Sequence, residues 1–206
     1  MITTVEKHRK ATSWIAATLL LAVILFSNHQ SERVFLYETI RMIGCVLVVL
    51  ATLGRIWCAI YISGRKNREL CQDGPYSVWR NPLYIFSFLG VVGFVGVAQS
   101  LLLVLIVTPL FWAYHYPIIR SEEERLLELF GEEFTRYRSK VNRFLPSFRN
   151  YWSRDTIETN PHMIFRYIIR ASFFIWTLGL LEIVKYLKTL EVNGKGVIPL
   201  LWNLPF

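Results

Sequence analysis

The stretch GPYSVWRNPLY, residues 74–84, sets a single arginine between two proline turns and among aromatic rings. A guanidinium grips a carboxylate or phosphate through two parallel hydrogen bonds. Arg80 is therefore equipped to orient an anionic group. Further along stand the consecutive carboxylates Glu122, Glu123 and Glu124. Arg55 stands inside an apolar run, where an arginine is costly and usually faces a cavity. Snorkelling, or pairing with Glu69 or Glu122, is the alternative for it. The segments GRKN, residues 64–67, and FGEEFTRYRSKVNRFLP, residues 130–146, bring further polar groups. Taken singly, the cations read as headgroup anchors and the glutamates as a solvated first helical turn. Neither reading explains why Gly-Pro-Tyr and Asn-Pro flank one arginine. His8, His29, His115 and His162 are scattered, and no cluster has metal-ligand spacing. Cys45, Cys58 and Cys71 form no CxxC and read as small buried hydrophobes.

The elements that must position these residues belong to a membrane protein. Of 206 residues, 53% are hydrophobic and 18% charged, against about a quarter charged in soluble domains. Net charge is +8, and the cations sit between apolar runs. That placement favours anionic lipid headgroups as partners over nucleic acid. The sequence predicts an all-α polytopic bundle of about five transmembrane helices, with a helical hairpin and a cytosolic amphipathic helix. It reads as one integral membrane domain over 1–206, with a core at 39–146 and an extension with an added span at 147–206. Spans are expected at 11–27 and 39–62. No charged residue occurs from 83 to 119, a run too long for one crossing, so it must fold back. Gln99 and Ser100 mark the turn between arms 83–98 and 101–119. Gly90, Gly93 and Gly96 allow close helix approach in the first arm, and Pro109 predicts a kink in the second. Ser121 is expected to cap a separate amphipathic helix with Glu124 as its partner, presenting Leu126, Leu127, Phe130, Phe134 and Tyr137 on one face. Gly131 within it suggests a close packing contact. A last span is expected at 171–187, followed by an apolar, proline-broken interfacial tail.

The basic residues then fall on one side: Lys7, Arg9 and Lys10; Arg65, Lys66, Arg68 and Arg80; and the cluster from Arg120 to Arg154. The positive-inside rule makes this side, with the N-terminus and the candidate site, cytoplasmic, at the cell inner membrane.

The ordered motifs GPY, RNPLY, a charge-free hairpin, EE, FGEEFTRY and FLP resemble the isoprenylcysteine carboxyl methyltransferase / phospholipid methyltransferase family. The matching positions are Gly74, Pro75, Tyr76, Arg80, Asn81, Pro82, Tyr84, Glu122, Glu123, Leu126, Phe130, Gly131, Phe134, Tyr137 and Pro146, within residues 40–146. The resemblance implies an integral membrane methyltransferase using S-adenosylmethionine. Its cofactor pocket faces the cytosol, and a lipid or lipid-anchored acceptor enters from the bilayer. It assigns cofactor binding to Gly74, Pro75, Tyr76, Asn81, Pro82, Tyr84, Glu122, Glu123 and Tyr137, with the glutamate register open to Glu124. Arg80, Glu123 and Arg55 are the catalytic candidates, Arg80 or Arg55 holding the acceptor. Asn81 stands where many members carry histidine, so no imidazole is available there, although an amide can still hydrogen-bond. The excess of arginine favours an anionic acceptor such as an isoprenylcysteine-like carboxylate. The alternatives are a phospholipid headgroup, another lipid headgroup or a small thiol as acceptor, or, in different classes, an NADPH-dependent membrane reductase or a non-enzymatic scaffold. Oligomeric state is left open.

Overall fold

A computed structural model describes residues 34–192 and the pairs 27–28, 195–196 and 202–203. The span expected at 11–27 and most of the C-terminal tail lie outside the described residues. Five α-helices follow in order: α1 (Val34–Ile62), the single turn α2 (Pro75–Val78), α3 (Pro82–Val97), α4 (Leu101–Lys140) and α5 (Pro161–Thr189). A 3-10 turn, Phe148–Asn150, precedes α5. Two-residue bridges join Ser27–Asn28 to Trp202–Asn203 and Glu191–Val192 to Lys195–Gly196. The expected all-helical membrane bundle is present. Among the described residues three helices, α1, α4 and α5, are long and apolar enough to cross a membrane. The 16-residue α3 is apolar but only about 24 Å long, short of a 30 Å hydrocarbon core.

Helices α1 and α3 pack antiparallel and very closely. A Cβ on Gly44 would fall 2.6 Å from the Gly93 carbonyl oxygen, and one on Gly93 2.7 Å from that of Gly44. The glycine spacing in α3 thus buries backbone against backbone. Higher in the pair, Gly54 receives the Phe86 ring, and Gly90 faces the Phe174 ring of α5. The expected turn sits between α3 and α4. Gln99 adopts φ 61°, and the Ser100 hydroxyl caps α4 by accepting from the Leu103 amide at 3.3 Å. Polar groups fasten this end. Gln99 donates to Glu38 at 3.1 Å, and the Lys185 ammonium donates to the Val97 carbonyl at 2.7 Å.

Helix α4 corrects three expectations. Ser121 caps nothing: the helix runs unbroken through it, because the onset of charge after Ile119 marks a change of solvent and contains no helix-breaking residue. Backbone angles stay helical through Pro109 and Pro117, and the interior break is instead at Gly131, with φ 49° and ψ −118°. No atom lies within 4 Å of a Cβ built on Gly131, so this glycine answers to a backbone angle and not to a packing contact. Beyond the break, Phe134, Tyr137 and Val141 bury against Leu70, with Leu126 and Phe130 alongside, while Leu127 points outward. Gly131→Ala should therefore lower thermal stability in detergent by about 1–3 kcal/mol from backbone strain alone. An unchanged melting temperature would show that the break relaxes to ordinary helix.

Helix α5 starts ten residues earlier than the predicted span. Asn160 caps it by accepting from the Met163 amide at 3.2 Å, with Pro161 in the first turn. Cys58 and Cys71 are buried and Cys45 is half-buried, all as free thiols.

Candidate active site

The loop between α1 and α2 is held by a buried ion pair. Arg65 donates to Asp73 at 2.9 Å and to the Tyr61 carbonyl at 3.2 Å, and also pairs with Glu69. Asp73 is fully buried. Its neighbour Gly74 turns the chain at φ 58°, and a Cβ there would sit 2.3 Å from the Tyr61 ring. Proline in the first turn then sets α2. The segment after α4 straps this turn down. The Gly74 amide donates to the Trp152 carbonyl at 2.8 Å, the Trp152 amide donates to the Ser77 hydroxyl at 3.2 Å, and Arg154 reaches Asp73 at 3.4 Å.

Tyr137 of α4 donates its hydroxyl to the Tyr76 carbonyl at 2.7 Å. That bond fixes the backbone of Tyr76 while its own phenol points elsewhere. The Tyr76 hydroxyl is buried without a protein hydrogen-bond partner. Burial holds its pKa well above the ordinary tyrosine value, so it is a neutral donor at physiological pH.

Glu123 gathers the polar groups that follow. It accepts from Arg143 at 3.0 and 2.6 Å, from the Asn81 amide at 2.8 Å and from Arg80 at 3.4 Å. Its hydrogen bond holds the Arg143 guanidinium above the usual arginine pKa. Burial lowers that of Arg80, against the opposing charge of Glu123. The Arg80 amide is anchored on the Asn142 carbonyl at 2.9 Å, and its Nε is buried with no partner. One residue back, Glu122 accepts from the Tyr84 hydroxyl at 2.9 Å. Helical geometry turns adjacent glutamates about 100° apart, so Glu122 and Glu123 meet different partners.

These groups surround a cavity of about 350 Å³, within the range of small-molecule sites. Of the expected site residues, Arg55, Tyr76, Arg80, Asn81, Pro82, Tyr84, Glu122 and Tyr137 form its wall. Gly74, Pro75 and Glu123 stand behind it. Gly74 and Pro75 shape the turn, and Glu123 holds Arg80 and Asn81 in place. Glu122 faces the cavity, while Glu124 pairs outward with Arg120 at 3.2 Å. Arg55 pairs with neither Glu69 nor Glu122. It donates to the Ser87 hydroxyl and lies 5.6 Å over the Phe174 ring. His115 shares a hydrogen bond with the Phe111 carbonyl through Nδ1 at 2.9 Å, and its ring stacks on that of Phe111 at 4.0 Å.

Sequence reasoning missed Ser87, Tyr167 and Arg170 on the wall. Ser87 is one helical turn beyond Leu83, and its hydroxyl returns to that carbonyl at 2.6 Å. Tyr167 and Arg170, three residues apart on α5, share a face. That spacing was the available signal. Counting the wall, five side chains are cationic (Arg55, Lys66, Arg80, Arg125 and Arg170) and two are carboxylates (Glu69 and Glu122).

An all-helical membrane protein with one cation-rich chamber at the end of its spans is the class that this geometry defines. The phospholipid methyltransferase pattern matches residues 12–133, and the chain belongs to that family. It is 34% identical to the cobalt-zinc-cadmium resistance protein of Cupriavidus metallidurans, over 87% of this chain and 81% of that one. It is 31% identical to the nickel-cobalt-cadmium resistance protein of Alcaligenes xylosoxydans xylosoxydans, over 86% and 82%. A more distant similarity, 28% over 51% of this chain and 48% of the other, is to protein-S-isoprenylcysteine O-methyltransferase of Saccharomyces cerevisiae. No solved structure matches the chain.

Proposed function

We propose that the chain transfers a methyl group from S-adenosylmethionine to an amphiphilic, anionic acceptor, of the class of an isoprenylcysteine carboxylate, at the cytosolic face of the inner membrane. One observation carries this reading. Of the four buried side-chain polar atoms that lack protein partners among the described residues, three, Tyr76 Oη, Arg80 Nε and Arg55 Nε, belong to residues on the wall of the same cavity; the fourth, Arg65 Nη2, does not. Buried polar atoms without partners are rare in folded proteins. Here they suit a polar guest with several acceptors, and the family match supplies the class of chemistry.

When bound, S-adenosylmethionine supplies an electrophilic sulfonium methyl. Tyr76, Tyr84 and Glu122 are the side chains that would hold it, with Arg80 on the same wall to orient the acceptor. Tyr76 offers a neutral donor, and Glu122 and Glu69 offer negative charge to a cationic ligand. Tyr137, Asn81 and Glu123 act through others, fixing Tyr76 and Arg80. Pro82 begins α3 and sets the wall between Asn81 and Tyr84. In-line methyl transfer depends on alignment and exclusion of water, which a rigid, strapped turn provides. A carboxylate acceptor is already ionised at neutral pH and requires no base. An amine acceptor would arrive, and leave methylated, as a cation, and five cations on the wall repel that charge.

Calorimetry on detergent-purified protein tests the reading. S-adenosylmethionine should bind, and Tyr76→Phe should weaken it about fivefold, the worth of one hydrogen bond near 1 kcal/mol. Stabilisation by NADPH in place of S-adenosylmethionine would move the assignment to a reductase, and silence with both would favour a scaffold.

A further inference from the structure

We propose that Arg170 and Tyr167 of α5 join Arg55 of α1 and Ser87 of α3 in a subsite that selects the acceptor by its anionic headgroup. The inference rests on the methyltransferase reading and adds the residues that choose the substrate. All four side chains lie on the cavity wall, and they come from three different helices. Arg55 precedes the end of α1 by seven residues, about 10 Å along the axis, and Ser87 lies five residues into α3. This part of the wall is therefore set back among the helices, away from the loop residues Lys66, Asn67 and Glu69 that line the other part.

Among the described residues the two arginines have no counter-ion. Arg55 spends one nitrogen on Ser87 and leaves Nε buried and unpartnered. Its guanidinium lies against the Phe174 ring. Arg170 lies 6.0 Å from the Tyr167 ring and is exposed on the cavity wall. Two unneutralised cations on one wall, both on helices long enough to cross a membrane, create a strong demand for an oxyanion. An acceptor that carries its charge at the end of an apolar tail meets that demand without leaving the bilayer. Carboxylate and phosphate headgroups share this chemistry.

Helix α5 reaches the site because Phe174 seats on Gly90 of α3. Residues 167 and 170 lie beyond the stretch 12–133 that the family pattern covers. Acceptor choice is thus made partly by a helix that the shared pattern does not specify.

The test uses the full chain in a neutral detergent, titrated with dodecanoate, dodecyl phosphate and dodecyltrimethylammonium while thermal stability is followed. The two anions should raise the melting temperature and the cation should not. The better of the two anions identifies the headgroup. Arg170→Gln, at an exposed position that should fold normally, should weaken anion binding at least tenfold and leave S-adenosylmethionine affinity, measured by calorimetry, within twofold. Wild-type anion affinity in that variant, equal binding of the cationic amphiphile, or a parallel loss of S-adenosylmethionine affinity would each overturn the subsite. Arg170-dependent anion binding without any S-adenosylmethionine binding would instead uphold the subsite and remove the methyltransferase reading beneath it.

Discussion

Glu123→Ala should cost about 3–5 kcal/mol of stability and abolish methyl transfer, although the residue is not on the cavity wall. The carboxylate is buried, its side chain 8% exposed, and it balances Arg80, whose side chain is 13% exposed. Removing one partner of a buried pair leaves the other charge in a poorly solvated place, and this costs more than the pair is worth. Arg143, 29% exposed, can turn to solvent, which places the expected loss toward the lower end. Arg80, with its side chain only 13% exposed, has less access to solvent. It should swing into the cavity, and the site should fail with it. Thermal unfolding in detergent and labelled methyl transfer by the same preparation measure both effects. A double-mutant cycle with Arg143→Ala should reveal a coupling above 1 kcal/mol. If Glu123→Ala melts within a degree of the parent and turns over normally, the buried ion cluster has no organising role.

The second large effect is expected at the crossing of α1 and α3. Gly44→Val places a branched side chain where backbone atoms of Gly93 and Val97 already lie within 2.7 Å of the would-be Cβ. A flexible side chain could move aside, but a carbonyl within a helix cannot. Overpacking of this kind costs about 1–3 kcal/mol and often more when backbone must shift. Because Arg55 and Ser87 face each other across the same helix pair, a separation at Gly44 should also loosen their contact. Loss of stability should thus accompany loss of turnover, with Gly96→Ala, whose Cβ would meet its nearest neighbour at 3.5 Å, as the mild control. Equal behaviour of the two variants would mean that the helices do not cross as described.

Much of this arrangement is legible in the sequence because local chemistry dictates it. A charge-free run too long for one crossing has to reverse, and Gln99–Ser100 is where polar side chains permit it. Asn-Pro opens α3, and Gly-Pro fixes a turn, whatever surrounds them. The glycines of α3 could be read as a close approach, since a missing side chain has few other uses in an apolar helix. What failed was inference from polarity to helix ends. Ser121 has the chemistry of a cap, yet a cap works only where the helix begins, and hydrogen bonding along α4 is indifferent to the change from apolar to charged side chains. Gly131 was assigned to packing because sequence does not show which φ a glycine adopts. The placement of Tyr167 and Arg170 depends on how α5 docks, which is set by contacts such as Gly90 with Phe174 between residues distant in the chain.

The bond between Arg55 and Ser87 also bears on how the protein is made. The two residues are 32 positions apart, so α1 is synthesised well before its partner helix. At about 5–20 residues per second, Arg55 waits roughly 2–6 s for the hydroxyl that will receive it. During that interval an arginine opposes membrane integration of α1 by at most about 2.5–3.5 kcal/mol, the cost at a helix centre, and the apolar residues around it must outweigh the penalty unaided. The nascent helix is therefore most exposed to rejection and proteolysis at this stage, and the arrival of α3 closes that vulnerable period.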